Sequence, residues 1–227
     1  MQNTRTKRVV TMAMLAAVAY IVVLLAHLVP IFAFMPSVPF LRYDPKDVII
    51  AIGGFILGPL EALAIAVVVS LVEMVTISTT GPIGLVMNMI STAAFACTAA
   101  VIYKKKHTMG GAVLGLVAGC LLMTIVMLLW NYLITPLYMH VDRAVIVKML
   151  LPAFAPFNLI KAAVNTALTL LIYKPVVQAL RRANLVAASS QNGSGAKRRH
   201  LSPGIAILAV VILVTCILLV LVLNGIL

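Results

Sequence analysis

The chain has 227 residues, of which 63% are hydrophobic and only 10% charged. Soluble domains carry roughly a quarter charged residues and about half apolar ones, so a single soluble core is excluded and the chain reads as an all-α polytopic membrane protein. The net charge of +12 sits in short clusters between apolar runs, where the positive-inside rule puts it. No basic face is interleaved with exposed aromatics, so the partner it implies is the lipid bilayer and not nucleic acid.

In chain order, a basic N-terminus leads into a first span from about Val9 to Phe34, too long for a signal peptide's apolar region. "MPSVPFLRYDPK" follows, and its prolines forbid a continuous helix. "DVIIAIGGFILG" is next, with Asp47 near a helix N-terminus; at roughly 18 Å as a helix it is short for a bilayer. A third span runs from about Leu60 to Ser78, a fourth from Ile83 to Tyr103 and a fifth from Gly110 to Thr135. A polar connection with a short helix in "AVIVKMLL" leads to a sixth, from about Pro156 to Leu180. The expected organisation is a six-helix membrane domain over 1–182, a basic flexible linker over 183–202 and an extra C-terminal transmembrane helix over 203–227.

Charge parity supports counting the short second run as a span. With Arg5, Lys7 and Arg8 inside, it also puts Lys104, Lys105, Lys106, Arg181, Arg182, Lys197, Arg198 and Arg199 inside; without it they all fall outside. The N-terminus is then cytoplasmic and the extra helix carries the C-terminus outside. Glycines spaced by four, Gly54/Gly58 and Gly111/Gly115/Gly119, mark close helix packing. Ala13 and Ala17 form a similar small face on the first span.

This topology places polar residues at one depth, in the outer half. Glu73, Asn88, Asn131, Asn158 and Lys161 come from four different spans. Intramembrane polar groups generally face the bundle interior and mark a substrate path. Asn158, Lys161 and Asn165 stand at i, i+3 and i+7, on one helix face. Plainer readings stand beside these. Lys161 fits snorkelling to the headgroups, Glu73 a helix end near the surface, and Asn165 either a pocket floor or a helix–helix hydrogen bond. Glu61 suits a helix N-terminus. His27 and His140 have no evident metal partner. Trp130, Tyr132 and Tyr138 fit an interfacial aromatic belt or a flat ligand wall.

No phosphate-binding GxxxxGK[ST] loop, HExxH motif or cysteine pair at metal-ligand spacing occurs. The five acids include two in the first connection, leaving Glu73 as a lone candidate buried carboxylate. The chain reads as a binder that depends on an outside energy source, and not as an enzyme.

The segments "FLRYDPKDVIIAIGGFILGPLEAL", "GPIGLVMNMIS", "WNYLITPLY" and "PFNLIKAAVNTALTLLIYK" resemble the riboflavin-specific S components (the RibU type) of energy-coupling-factor transporters, in family order across roughly residues 8–182. The resemblance implies a six-helix S-component bundle, here with one additional helix, in the cell membrane. It implies riboflavin as the transported ligand, with no cofactor, and a transmembrane coupling subunit with two ATP-hydrolysing subunits as partners. Flavin contacts are implied at Asn131, Asn158 and Lys161, with Leu41 and Tyr43 from the first connection. Ala13 and Ala17 correspond to the face that docks the coupling subunit. A different flat vitamin or nucleobase is the main alternative ligand, and a lipid-modifying membrane enzyme the alternative class.

Overall fold

A computed structural model describes residues 4–28, 41–185 and 203–223. These form ten α-helices: α1 (Thr4–Leu28), α2 (Lys46–Leu57), α3 (Pro59–Thr76), α4 (Gly81–Thr92), α5 (Thr98–Lys105), α6 (Met109–Leu133), α7 (Thr135–Met139), α8 (Arg143–Met149), α9 (Ala155–Arg182) and α10 (Pro203–Leu223). A π-helical turn, Ala93–Cys97, joins α4 to α5, and a second, Leu150–Phe154, joins α8 to α9. The last residues expected in the first span, and most of the expected linker, lie outside the described residues.

Local sequence explains many of the helix starts. Prolines occupy the first turn of α3, α4, α7 and α9, where the missing N–H has no intrahelical partner to lose. Thr108 caps α6 by accepting from the Gly111 N–H at 3.1 Å. Between α2 and α3 there is no loop. Gly58 alone makes the corner at φ 125°, a conformation open to glycine.

Among the described residues, six helical stretches are long and apolar enough to cross a membrane: Arg5–Leu28, Pro59–Thr76, Gly81–Lys105, Met109–Leu133, Arg143–Arg182 and Pro203–Val222. α2 is not among them. It has 12 residues, and Lys46 through Phe55 are all buried. α2 is a short helix enclosed by its neighbours and antiparallel to α3, and it runs from the end that holds Lys46 and Glu73 to the end that holds Gly58 and Arg8, so it keeps its place in the six-helix bundle expected from sequence. Its burial on all sides explains why it has no polar face.

The glycine stripe on α6 acts as expected. A methyl group at Gly115 would come within 2.7 Å of the Ala99 carbonyl oxygen, and one at Gly119 within 2.5 Å of that of Phe95. α6 thus lies backbone to backbone against α5 and the preceding π turn. Without a hydrophobic drive between helices in lipid, such van der Waals contact is a main source of association.

One end of the bundle is closed and basic. Arg8 pairs with Glu61 at 2.5 Å and donates to the Leu57 carbonyl at 2.9 Å, pinning α1 to the α2–α3 corner. Phe55 packs against Tyr103 with ring centroids 4.7 Å apart and the planes tilted by 45°, and the Tyr103 and Tyr173 hydroxyls lie 3.3 Å apart. Lys104, Lys105, Arg181 and Arg182 fall in the last turns of α5 and α9 at this same end.

Candidate functional site: a cavity above a buried ion network

The opposite end holds a cavity of about 330 Å³, a size typical of small-molecule sites. Its walls combine the apolar side chains of Val23, Leu41, Met87, Met127 and Phe157 with the polar ones of Glu73, Asn88, Asn158 and Lys161. α1, the segment before α2, α3, α4, α6 and α9 all contribute. Of the residues singled out from sequence, Leu41, Tyr43, Glu73, Asn88, Asn158 and Lys161 come together here. His27, for which sequence suggested no role, also lines the cavity, and its carbonyl accepts from Arg42 at 3.3 Å.

Asn131 is fully buried but does not line the cavity. Its amide donates to the Met127 carbonyl at 2.7 Å, and its oxygen accepts from Thr135 at 2.9 Å. An asparagine amide has two N–H donors, so one remains beyond these bonds. Asn158 uses one donor on the Phe154 carbonyl at 2.8 Å. Trp130, Thr135 and Tyr138 line a separate small crevice that shares Thr80 and Met87 with the main cavity.

Sequence reasoning missed what lies beneath. Asp44 and Asp47, read as parts of the first connection and a helix start, turn inward. They join Lys46, Glu73 and Lys161 in one buried network. Lys46 contacts Asp44 at 2.5 Å and Glu73 at 2.6 Å. Lys161 stands 3.8 Å from Asp44 and 3.6 Å from Asp47. Glu73 is therefore neither a surface helix end nor the lone buried acid. Nor does Lys161 snorkel: it is 5% exposed and turned toward carboxylates. Burying an ion is expensive unless it is paired and hydrogen-bonded, and the remaining polar groups do this. Thr92 donates to Asp47 at 2.6 Å, Asn88 donates to Glu73 at 3.2 Å, and Asn165 donates to Asp47 at 3.3 Å. The Tyr43 hydroxyl donates to Asn165 Oδ1 at 2.8 Å. Of the alternatives for Asn165, the interelement hydrogen bond is the one observed, and it does not line the cavity.

One clue was available in sequence. "DPKD" concentrates three charges in four residues of a chain with few charges. Its partners, Glu73 and Lys161, are too distant in sequence for any local periodicity to connect them. Among the described residues, no group of three or more His, Cys, Asp or Glu side chains could hold a metal ion.

On the outside of the bundle, Ala13 and Ala17 are exposed on α1, whereas Leu15, Ala19 and Val23 face the core. α1 thus presents a small-residue face that no described element covers.

Comparison with known proteins accounts for this architecture. Residues 7–173 match the family model described as "ECF transporter, substrate-specific component". The riboflavin transporter RibU of Staphylococcus aureus (strain TCH60) is 31% identical over 184 residues, covering 78% of this chain and 94% of that protein. The riboflavin transporter FmnP of Bacillus subtilis (strain 168) is 29% identical over 194 residues, covering 80% and 99%. A solved S component of a bacterial ECF transporter superposes with a TM-score of 0.65 at 31% identity, over 78% of this chain and 99% of its own. Its relatives are transporter components and not enzymes. This multi-pass membrane chain belongs to the substrate-specific (S) components of energy-coupling-factor transporters.

Proposed function

We propose that the chain captures riboflavin in the cavity and delivers it to a coupling module of one transmembrane subunit and two ATP-hydrolysing subunits. The observation that carries this reading is the cavity's make-up: apolar walls around a few fixed polar groups, in a chain about 30% identical to two riboflavin transporters. The isoalloxazine pyrimidine edge alternates carbonyl acceptors with an imide N–H. Asn158 and Asn88 offer amides that supply both a donor and an acceptor. Lys161 donates to a ring carbonyl or a ribityl hydroxyl. Glu73 has an oxygen, Oε1, that is buried with no hydrogen-bond partner among the described residues, and it is the natural acceptor for a ligand donor. Leu41, Met87, Met127 and Phe157 enclose the dimethylbenzene end, with Tyr43 against one side. Asn131 stands behind this wall and supports it through its bonds to Met127 and Thr135. Fixed polar groups in an apolar pocket discriminate strongly, because a wrong ligand leaves them unpaired.

In this reading the basic end is cytoplasmic and the cavity opens outside the cell, as the positive-inside rule requires. The C-terminus is then outside. Ala13 and Ala17 dock the coupling subunit, where small side chains let two helices approach closely.

The test is direct. Protein purified in detergent from riboflavin-containing medium is expected to be yellow, with quenched flavin fluorescence. Colourless protein that fails to quench added riboflavin overturns the reading. Titration with riboflavin, its phosphate and other flat vitamins separates riboflavin from the alternative ligands.

A further inference from the structure

We propose that α10, the added helix, is part of the binding site's back wall: through Cys216 it positions the Leu41–Tyr43 segment that closes one side of the cavity. The family match ends at residue 173, and α10 begins at Pro203. The solved S component is 99% covered by 78% of this chain. α10 therefore lies beyond the part of the chain that the family model matches.

The structure gives this helix a specific seat. α10 packs along α9. Its inward stripe is Ile205, Ala209, Ile212, Cys216 and Val220, at spacings of four, three, four and four. Ala209 is fully buried and Cys216 is 5% exposed, while Leu208, Val211, Val214 and Leu218 face outward. The stripe crosses two clusters. Near the basic end, Ala209 joins the main core; toward the cavity, Cys216 packs in one apolar cluster with Leu41, Tyr43, Phe157 and Ile160. Leu41, Tyr43 and Phe157 also line the cavity. α10 thus runs antiparallel to α9 and ends beside the ligand wall.

Size at position 216 matters here. Interiors are close-packed, and an inserted ring must displace its neighbours. Tyr43 is tied below by its hydroxyl to Asn165, which in turn bonds Asp47. A shift of Tyr43 is therefore transmitted to the network that holds Lys161. α10 leaves the Ala13 and Ala17 face of α1 exposed, so its role at the wall does not compete with docking there.

The test has two arms, both on the full-length chain in lipid nanodiscs. The first needs no ligand. With Cys97 and Cys120 replaced by Ala, Cys216 is the only thiol, and its alkylation rate measures how well the wall covers it. Tyr43→Ala and Leu41→Ala are each expected to speed alkylation about tenfold, as lost packing opens the cluster, whereas Val75→Ala on the exposed face of α3, outside that cluster, is not. Equal rates in all of these variants overturn the proposal. The second arm rests on the riboflavin reading. Cys216→Phe is expected to speed riboflavin dissociation about tenfold by overpacking, while Leu218→Phe on the outward face leaves it unchanged. In a Tyr43→Ala background, the effect of Cys216→Phe is expected to disappear, because coupled residues are non-additive. A full, additive effect there shows that α10 does not act through Tyr43. If the unaltered protein does not bind riboflavin, the functional reading falls and the alkylation arm still decides this one.

Discussion

Lys46 Nζ, at the start of α2, lies 2.6 Å from Glu73 Oε2, near the end of α3, and neither side chain is more than 4% exposed. The pair closes the open end of the α2–α3 hairpin, whose other end is the single residue Gly58. It also sets the floor beneath the cavity, because Glu73 and Asp44 line the cavity and Lys46 holds both.

Removing one partner of a buried pair strands the other charge. Lys46→Met is therefore expected to destabilise the protein by about 3–5 kcal/mol, whereas Lys46→Met combined with Glu73→Gln costs markedly less. Thermal unfolding in a fixed detergent, compared across the two variants, checks this. A double variant as unstable as the single one would show that the pair is not the origin of the effect.

Asn158 and Asn131 are the same residue type at similar depth in different settings. Asn158 lines the cavity, whereas Asn131 is committed to Met127 and Thr135 behind it. Asn158→Ala is expected to weaken riboflavin binding by about 1–3 kcal/mol. Asn131→Ala should affect binding less and thermal stability more. Lys161→Ala should lower both, since the same ammonium faces the cavity and stands between Asp44 and Asp47. Fluorescence titrations alongside melting curves separate the three patterns.

Trp130 is the chain's single tryptophan. It lines the crevice that shares Thr80 and Met87 with the cavity. A bound flavin absorbs where tryptophan emits, so riboflavin should quench Trp130 emission saturably, with the midpoint found by flavin fluorescence. Trp130→Phe should abolish that signal and leave binding intact. Loss of binding in this variant would show that the indole is itself a ligand wall.

Ala13→Trp adds a large ring to the exposed face of α1. It is expected to spare riboflavin binding by the isolated chain and to reduce uptake by the assembled transporter. Measuring both on one preparation is decisive. Intact uptake would remove Ala13 and Ala17 from the docking surface, and lost binding with the fold retained would place them in the site.

The sequence alone determined the membrane class, the order of the long helices and the glycine-mediated packing of α6. Each rests on a local signal: runs of apolar residues, basic clusters between them, and small residues at helical spacing. It also brought Glu73, Asn88, Asn158 and Lys161 to one depth, because depth follows from counting along each helix. Tertiary structure alone decided which of these share a cavity. It withdrew Asn131 behind the wall and enclosed α2 as a short helix. It gathered Asp44, Lys46 and Asp47 with Glu73 and Lys161, and it seated Cys216 beside Tyr43. Depth is a one-dimensional property that a sequence carries. Facing is not, because the rotation of each helix about its axis is set by which neighbours it packs against, and here by which buried charges must find partners.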